Sequence, residues 1–255
     1  MDLEYFKEWV YKEFRIDLKA YKPTQLHRRI LSLMSRVGVN SVDEYIKLLK
    51  EDQQQREKFL DFITINVTEF FRNPDIFNDL KKKIKEELLP NNRNLKIWSA
   101  ACSIGAEPYS IAMILEDLAP GGRHTIVATD IDNGILERAK KGEYSEAEIK
   151  NISKDQLNKY FNKQGEYYVI DKKIKSMVTF KRHDLILDRY ENDFDLIVCR
   201  NVVIYFNQDI KDEIYKKFHH SLKKDGLLFV GATESIYNYK EFGFDKASTF
   251  IYRKV

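Results

Sequence analysis

From Leu95 to its carboxyl end, the chain alternates short apolar runs with amphipathic stretches of helical period. The apolar runs predict strands and the amphipathic stretches predict helices, two of which Gly142 and Gly226 are expected to close. The predicted strands are residues 95–102, 124–132, 177–184, 194–200, 226–232 and 248–255, and the predicted helices are residues 107–119, 134–142 and 208–224. This alternation predicts an α/β fold with a doubly wound, mainly parallel sheet that binds ligands at the carboxyl ends of its strands.

Changes in the sequence pattern suggest how the chain divides. Residues 1–66 have apolar residues at helical spacing and no convincing strand, which predicts a small all-α N-terminal domain. We expect residues 67–94 to be a connector and residues 95–255 to form the α/β domain. Near 162–180 the pattern breaks, and a small antiparallel β insertion is expected there in place of a crossover helix.

Charge and cysteine content argue against several classes of protein. The 255 residues carry a formal net charge of +3, too small to support nucleic-acid or membrane binding by the whole molecule. The sequence contains no run of about 18 apolar residues and therefore predicts no membrane span. Cys102 and Cys199 lie in apolar runs, with no partner at metal-ligand spacing. We expect a cytoplasmic protein with reduced cysteines, no metal, no nucleic-acid partner and no membrane insertion, and we expect a monomer.

Three features stand at predicted strand ends. Gly105 lies in the turn after the first strand, where its missing side chain would let a ligand approach the backbone. Asp130 ends the next strand, and its carboxylate could accept hydrogen bonds from both hydroxyls of an adenosine ribose. Arg200 and Asn201 follow a later strand. Each feature alone is also typical of an ordinary turn, but together and in this order they favour an adenosine cofactor.

The turn around Gly105 indicates which adenosine cofactor fits. A pyrophosphate requires several glycines and a helix amino terminus without negative charge, whereas this single glycine is followed by Glu107. S-adenosylmethionine has the adenosine and no phosphate, and Glu107 would favour its cationic amino and sulfonium end. We therefore predict S-adenosylmethionine as the cofactor.

Five ordered motifs make the chain resemble the chemotaxis receptor methyltransferase (CheR) family. They are INVTEFFRNPDIF (65–77), IWSAACSIGAEPYSIAM (97–113), IVATDID (126–132), FDLIVCRNVVIYF (194–206) and GLLFVGATES (226–235). The resemblance covers nearly the whole chain. It implies a class I methyltransferase domain that uses S-adenosylmethionine to esterify glutamate side chains on the cytoplasmic helical bundle of transmembrane chemoreceptors. S-adenosylhomocysteine would be the product, and the methylation would set receptor adaptation.

The resemblance also implies site residues. The implied cofactor contacts are Asn66, Thr68, Arg72, Glu107, Asp130, Asp184, Leu185, Arg200 and Asn201. Arg72 and Tyr205 match positions beside the transferring methyl, so both are predicted to be catalytic by holding the acceptor glutamate or the carboxylate end of the cofactor. No general base is required, because a glutamate that titrates near about 4.3 is already negative at neutral pH.

Three residues depart from the family's usual pattern. Ile104 and Ala106 stand where the family's loop usually has a small polar residue and an acid. Asp184 stands where many relatives have asparagine, which keeps the acceptor capacity and adds a charge. None of these changes removes a group that the reaction needs, so we expect them to tune affinity for the cofactor.

The N-terminal region has a basic stretch between residues 18 and 42, which contain no acid. On a helix that opens near Pro23, Arg28, Arg29 and Arg36 would share one polar face. Such a face is often simply solvated, and it could also contact RNA phosphates or an acidic receptor surface. The resemblance favours the receptor, so Arg28, Arg29 and Arg36 are predicted to bind it.

Two other functions stay open at this point. One is a methyltransferase of the same fold that acts on RNA or a small molecule, because a fold does not determine its acceptor. The other is a signalling module that binds the cofactor without turnover. The β insertion binds a peptide at the receptor's carboxyl terminus in some relatives, and its sequence here predicts only a small β unit with an exposed edge.

Overall fold

The computed structural model describes residues 3–64 and 68–255. The chain divides into two compact units, Met1–Asn66 with Tyr205–Glu213, and Val67–Ile204 with Ile214–Val255. We call the first the helical unit and the second the methyl-transfer unit. The segment Tyr205–Glu213 groups with the helical unit, although the sequence pattern suggests that it belongs to the α/β domain of residues 95–255.

The helical unit is built around an aromatic core. Its helices are α1 (Leu3–Phe14), α2 (Pro23–Arg36), α3 (Val42–Glu51) and α4 (Gln53–Thr64), with a 3₁₀ turn at Leu18–Ala20. The ring of Phe6 packs edge-on against Phe59, with 5.7 Å between centroids, and stacks on Tyr45 at 5.9 Å. All three rings are buried, so burial of apolar surface holds the helices together.

Residues 68–94 are part of the methyl-transfer unit's core. They include α5 (Pro74–Lys83) and a π-helical turn at Ile84–Leu88. Phe77, Leu80 and Ile84 are buried in the same apolar cluster as the central strands. The residues that the sequence pattern assigns to a connector, 67–94, thus include apolar side chains that belong to the core.

The remaining elements of the methyl-transfer unit alternate as the sequence predicts. The strands are β1 (Lys96–Ala100), β2 (Thr125–Asp130), β3 (Glu143–Tyr144), β4 (Phe161–Gln164), β5 (Tyr167–Ile170), β6 (Val178–Arg182), β7 (Phe194–Cys199), β8 (Leu222–Val230), β9 (Phe244–Lys246) and β10 (Ile251–Lys254). The helices are α6 (Ala106–Leu118), α7 (Asn133–Lys141), α8 (Lys154–Tyr160), α9 (Lys172–Ser176) and α10 (Gln208–Ser221), whose first residues belong to the helical unit.

Within the described residues, the main sheet has the strand order β6-β2-β1-β7-β8-β10-β9. The strands from β6 to β8 are parallel, and β10 is antiparallel to both of its neighbours, β8 and β9. Ala100 at the end of β1 pairs with Thr129 on one side and Cys199 on the other. The turns after β1, β2 and β7 therefore leave the sheet at the same edge. The predicted fold class, α/β with a small all-α domain and a small antiparallel β unit, is confirmed.

The small β unit has different limits from the predicted insertion near 162–180. Its strand order is β3-β5-β4, so Glu143–Tyr144 joins the hairpin of β4 and β5. The last predicted strand of this region, β6, pairs with β2 in the main sheet instead. Two ion pairs connect the helices beside the small sheet to α6: Lys159 of α8 pairs with Asp117, and Lys173 of α9 pairs with Glu116.

One predicted helix end is wrong. Gly226 was expected to close the helix of residues 208–224, but α10 ends at Ser221 and Gly226 lies inside β8. A Cβ on Gly226 would lie 2.9 Å from the carbonyl oxygen of Lys223 and 3.1 Å from that of Phe194. Close approach of backbone within the sheet, and not a helix end, explains the glycine. Gly142 does end α7, in the left-handed conformation.

Candidate active site

The turn after β1 has an unusual backbone that its neighbours hold in place. Ala101, Ser103 and Gly105 have φ angles of 67°, 50° and 86°. The amide of Cys102 donates to the carbonyl oxygen of Thr129 at 2.8 Å, and the amide of Ser103 donates to Oδ2 of Asp130 at 2.9 Å. Residues at the end of β2 thus fix a turn that an isolated peptide would rarely adopt.

Gly105 is required by the protein's own packing. A Cβ at this position would lie 3.1 to 3.2 Å from side-chain atoms of Ala139, Phe180 and Tyr109. Its φ of 86° independently favours glycine. The missing side chain therefore makes room for neighbouring side chains, whereas the predicted close approach of a cofactor to this backbone stays a prediction.

The two departures beside Gly105 are core residues. Ile104 and Ala106 are buried in the main apolar cluster, and the phenol of Tyr144 donates to the carbonyl oxygen of Ile104 at 2.8 Å. An apolar side chain suits both positions because each faces the core. This burial accounts for residues that the sequence alone leaves unexplained.

Asp130 supports the turn from the end of β2. Its Oδ2 accepts from Ser103 and its Oδ1 from the amide of Asp132 at 3.2 Å. Burial raises the pKa of this carboxyl to about 6, and the backbone hydrogen bonds oppose that rise. Asp130 therefore ends β2 and braces the turn after β1, whereas its binding of a ribose stays a prediction.

Glu107 lies in the first turn of α6 with 8 % of its surface exposed. The hydroxyl of Ser99 donates to its Oε1 at 2.8 Å, and its Oε2 lies 3.8 Å from Nη1 of Arg200. Burial raises the pKa of Glu107 to about 7, although Arg200 and Ser99 lower it. At neutral pH the carboxyl group of Glu107 is thus close to half-ionised, and an added cation nearby would favour its charged form.

Arg200 packs against two aromatic rings. Its guanidinium carbon lies 5.1 Å from the ring centroid of Phe77 and 4.9 Å from that of Phe229, and its side chain is 2 % exposed. Its Nη2 donates to the carbonyl oxygen of Arg72 at 2.9 Å and to Oδ1 of Asn73 at 3.0 Å. The predicted cofactor residue Arg200 thus binds the segment that carries the predicted catalytic residue Arg72.

That segment has its own strained turn. Phe71 and Asn73 have φ angles of 48° and 60°, and the amide of Phe71 donates to Oγ of Ser110 at 3.0 Å. Arg72 and Thr68 are both half-buried. Asn66, the remaining predicted contact in this motif, lies outside the described residues.

Asp184 follows β6 and has one carboxylate oxygen without a hydrogen-bond partner among the described residues. Its Oδ1 accepts from the amides of Ile186 and Leu187 at 2.7 and 3.2 Å, whereas Oδ2 is buried and unpaired. Burial raises its pKa. The neighbouring Leu185 is also buried. A buried acceptor without a donor is costly, so this oxygen suits a ligand that brings an N–H or O–H group.

Glu234 is a site residue that the sequence analysis did not single out. Its carboxylate accepts from the amides of Asn201 at 2.5 Å, Val202 at 3.0 Å and Gly231 at 2.9 Å. A Cβ on Gly231 would lie 2.3 Å from Oε2 of Glu234, so the absence of a side chain at Gly231 leaves room for the carboxylate. The motif GATES contains the signal, a glycine followed closely by an acid after a buried strand, but its partner loop after β7 is not visible from the sequence.

Other predicted residues lie in the helical unit. Tyr205 ends a 3₁₀ turn, and its carbonyl oxygen accepts from the amide of Lys22 at 2.9 Å. The guanidinium carbons of Arg29 and Arg36 lie 4.4 and 5.3 Å from the ring centroid of Phe62, and Arg29 is also 5.9 Å from that of Tyr205. Burial lowers the pKa of the half-buried Arg29, whereas Arg28 and Arg36 are exposed.

The methyl-transfer unit brings several predicted cofactor residues to one edge of its sheet. The turn after β1 is hydrogen-bonded to Asp130, Glu107 lies beside Arg200, and Arg200 binds the Arg72 segment. Carboxylates rather than a bare helix terminus line this edge, which suits a cofactor with cationic and hydrogen-bond-donating groups. Fold and site together define the class of S-adenosylmethionine-dependent methyltransferases.

Comparison with known proteins identifies the family. The model described as "CheR methyltransferase, SAM binding domain" matches residues 66–251, and "CheR methyltransferase, all-alpha domain" matches residues 1–64. The chain belongs to the CheR methyltransferase family, and its cofactor is S-adenosylmethionine.

Similar proteins extend over the same length. A chemotaxis protein methyltransferase of Listeria monocytogenes is 41% identical over 254 residues, which cover 99% of this chain and 97% of that protein. Chemotaxis protein methyltransferase 1 of Pseudomonas aeruginosa is 35% identical and covers 93% of this chain and 91% of its own length. The chemotaxis protein methyltransferase of Escherichia coli is 35% identical, with 89% and 81% covered.

The described residues offer neither a metal-ligand cluster nor a membrane-spanning helix. No cluster of His, Cys, Asp and Glu side chains there could hold a metal ion. None of the helices in residues 3–64 and 68–255 has the length and apolar character needed to cross a membrane.

Proposed function

We propose that this protein transfers the methyl group of S-adenosylmethionine to glutamate side chains of chemotaxis receptors, forming γ-glutamyl methyl esters that set receptor adaptation. The observation that carries the proposal is similarity to proteins named chemotaxis protein methyltransferase over 99% of the chain, including its helical unit. The acceptor would lie on the cytoplasmic part of the receptor, where the enzyme would act.

The chemistry needs alignment more than proton transfer. When bound, S-adenosylmethionine supplies an electrophilic methyl: a carboxylate oxygen forms the new C–O bond while the C–S bond breaks and its electron pair stays on sulfur. A glutamate is already ionised at neutral pH, so no side chain has to remove a proton. The protein's contribution is to hold the reacting groups in line and to exclude water between them.

The buried carboxylates have distinct proposed roles in binding the cofactor. Glu107 binds the cationic amino group, because its Oε2 is beyond hydrogen-bond distance from Arg200 and can accept a proton donor. Asp130 binds the ribose from the end of β2. Asp184 accepts from the adenine side with its unpaired Oδ2, and Leu185 packs beside the ring. Thr68, Asn66, Gly105 and Asn201 remain proposed contacts from the family resemblance.

Arg72 and Tyr205 are the proposed catalytic residues. The guanidinium of Arg72 and the phenol of Tyr205 would hold the acceptor carboxylate or the carboxylate end of the cofactor. Arg200 donates a hydrogen bond to the carbonyl oxygen of Arg72, so the main chain from which the Arg72 side chain extends is held in place. Tyr205 is anchored through its carbonyl oxygen to Lys22.

The basic face of α2 is the proposed receptor-binding surface. Arg28, Arg29 and Arg36 form no ion pair with any described residue, and Arg29 and Arg36 share the ring of Phe62 as a platform. Cations held on a ring keep their charge available, so they suit an acidic protein surface.

The decisive experiment uses cofactor with a tritiated methyl group and cytoplasmic fragments of receptors from the same organism, each with and without its carboxyl-terminal tail. We expect label on the receptor that mild alkali releases as volatile methanol, because an ester hydrolyses under these conditions. Receptor fragments with glutamate replaced by alanine at the labelled positions should accept none. Alkali-stable label, or label on RNA or a small molecule, would support the other methyltransferase function. Cofactor binding with no transfer to any receptor would support a non-catalytic module.

A further inference from the structure

Arg200 makes contacts that a simple cofactor ligand would not need. Its two terminal nitrogens point to different partners, Nη1 toward Glu107 and Nη2 toward the Arg72–Asn73 turn. Phe77 and Phe229 pack against the guanidinium, and its Nε is buried with no partner in the described part of the chain. With a side chain only 2 % exposed, Arg200 has little surface left for a cofactor to touch.

From this geometry we infer that Arg200 is a positioning residue, which connects the carboxylate of Glu107 to the main chain of Arg72, and that the charge of Glu234, held at the amides that directly follow Arg200, acts on Glu107 in the opposite direction. The inference rests on the proposed roles of Glu107 and Arg72. It assigns Arg200 to the enzyme's internal framework instead of to the set of direct cofactor contacts.

The first part of this role is geometric. The segment around Arg72 has two residues in the left-handed region, Phe71 and Asn73, which cost free energy unless other contacts hold them. Arg200 supplies two of those contacts, one to a main-chain oxygen and one to the side chain of Asn73. Because the planar guanidinium is buried against these rings and donates two hydrogen bonds through Nη2, its direction is restricted, and so is that of the Arg72 main chain that it binds.

The second part is electrostatic. Ser99 and Arg200 favour the ionised form of Glu107, and Arg72 does so more weakly. Glu234 acts in the opposite direction. The buried thiols of Cys102 and Cys199 also face Glu107, and burial holds the pKa of each well above its usual range, so they stay neutral near pH 7. Arg200 and Glu234 thus have opposite effects on one carboxylate, and Arg72 adds weakly to the effect of Arg200. Burial also raises the pKa of Glu234, which its backbone hydrogen bonds oppose.

Glu234 is suited to this role because the backbone holds it in place. Its carboxylate accepts from three amides around Asn201 and Gly231, so its position is as fixed as that of Arg200. Replacing either residue by glutamine removes a charge and keeps much of the shape. The two variants therefore form a matched pair. A structural defect would affect cofactor binding in the same way in both, whereas an electrostatic effect would shift the pH midpoint in opposite directions.

The test measures binding of S-adenosylhomocysteine, which carries the same amino group, by calorimetry between pH 5.5 and 8.5. The wild-type affinity should rise with pH through a midpoint near pH 7 set by Glu107, above the titration of Asp130 near pH 6. In Arg200→Gln the midpoint should move to higher pH by about one unit, because an opposite charge at this distance shifts a carboxyl pKa by at least that much. In Glu234→Gln the midpoint should move to lower pH. Arg253→Gln on β10, which breaks the ion pair of Arg253 with Glu87, is the control and should leave the midpoint unchanged.

A third variant separates charge from geometry. Arg200→Lys keeps the positive charge and loses the planar fork that reaches both Arg72 and Asn73. Its pH midpoint should stay near that of the wild type, whereas its methyl transfer at saturating cofactor should fall about tenfold or more, because the loss of one charge-assisted hydrogen bond has that effect. If Arg200→Gln does not fold, Arg200→Lys and Glu234→Gln still test both parts.

Defined outcomes would overturn the inference. Shifts of the midpoint in the same direction for Arg200→Gln and Glu234→Gln, or no shift in either, would leave both residues with a structural role alone. Unchanged turnover in Arg200→Lys would remove the link to Arg72. The wild type and Glu107→Gln serve as the separate check on the proposed site: if Glu107→Gln binds as tightly as the wild type, the proposed role of Glu107 fails, whatever Arg200 does.

Discussion

The two compact units place their charged groups in opposite ways. In the methyl-transfer unit the carboxylates of Glu107, Asp130, Asp184 and Glu234 are all buried and are held by amides, a hydroxyl or a guanidinium. In the helical unit Arg28 and Arg36 are exposed and Arg29 is half-buried, and the rings beside Arg29 and Arg36 provide no opposite charge. Buried charges give fixed geometry and shifted pKa values, whereas exposed charges give longer-range attraction that salt weakens.

This contrast suggests a division of work. A methyl donor must be bound in one orientation, which requires rigid groups that water does not screen. A large acceptor protein must be found and turned toward the site, which cations on the surface can do. Variants in the two units should therefore fail in different assays, and the following predictions are ordered by the size of the expected effect.

Glu107→Gln should cause the largest effect, a loss of cofactor affinity. The variant removes the only proposed charged partner of the cofactor's amino group, which should weaken binding by about 100-fold, as expected for a charge-assisted hydrogen bond of roughly 3 kcal/mol. Calorimetry with S-adenosylhomocysteine measures the effect. Glu116→Gln, on the same helix and paired with Lys173, is the matched control. Equal affinities for Glu107→Gln and the wild type would contradict the proposed site.

Arg72→Ala should reduce methyl transfer by about 10- to 150-fold, because a charge-assisted hydrogen bond of roughly 1.5 to 3 kcal/mol is lost in the transition state. Initial rates at saturating cofactor and receptor give the comparison. Arg93→Ala, in an exposed loop before β1, should leave the rate unchanged. Full turnover in Arg72→Ala would refute a catalytic role for this residue.

Lowering the pH should weaken cofactor binding by about tenfold between pH 8 and pH 6. The pKa of Glu107 is about 7 in the free protein, and the amino group binds the ionised carboxylate, so protons compete with the cofactor below that value. The affinity should thus be highest above pH 7 and fall as the pH decreases. A pH series of calorimetric titrations tests this, and a profile that is flat from pH 8 to pH 6 would show that another group determines binding.

Reversing charge on the helical unit should have the smallest effect and the strongest salt dependence. Arg28→Glu combined with Arg36→Glu should weaken receptor methylation by about three- to tenfold at low salt, since each exposed pair contributes up to about 1 kcal/mol. The difference should shrink as salt is added. Lys47→Glu with Lys50→Glu, on the exposed side of α3, is the control. Loss of cofactor binding in the α2 variant would mean that the two units do not divide the work in this way.

Much of the methyl-transfer unit could be predicted from local sequence. The alternation of strands and helices, the turn at Gly105 and the acids at positions 107 and 130 are all readable because each depends on neighbours in the chain. A prediction failed where close approach of backbone within the folded sheet determines which residue fits. Gly226 resembles a helix-ending glycine by sequence, but close approach of the carbonyl oxygens of Lys223 and Phe194 explains it.

The sequence by itself determined the fold class, the family and the kind of cofactor, because periodicity, turn chemistry and the order of motifs are properties of the linear chain. Only the tertiary structure decided how the site is held. Arg200 binds the main chain of a residue 128 positions away, and Glu234 binds the amide of one 33 positions away. Tyr205 groups with a helical unit that begins at the other end of the chain. Such contacts exist only after the sheet has brought its strand ends together, since burial and hydrogen-bond geometry depend on atoms that no local pattern specifies.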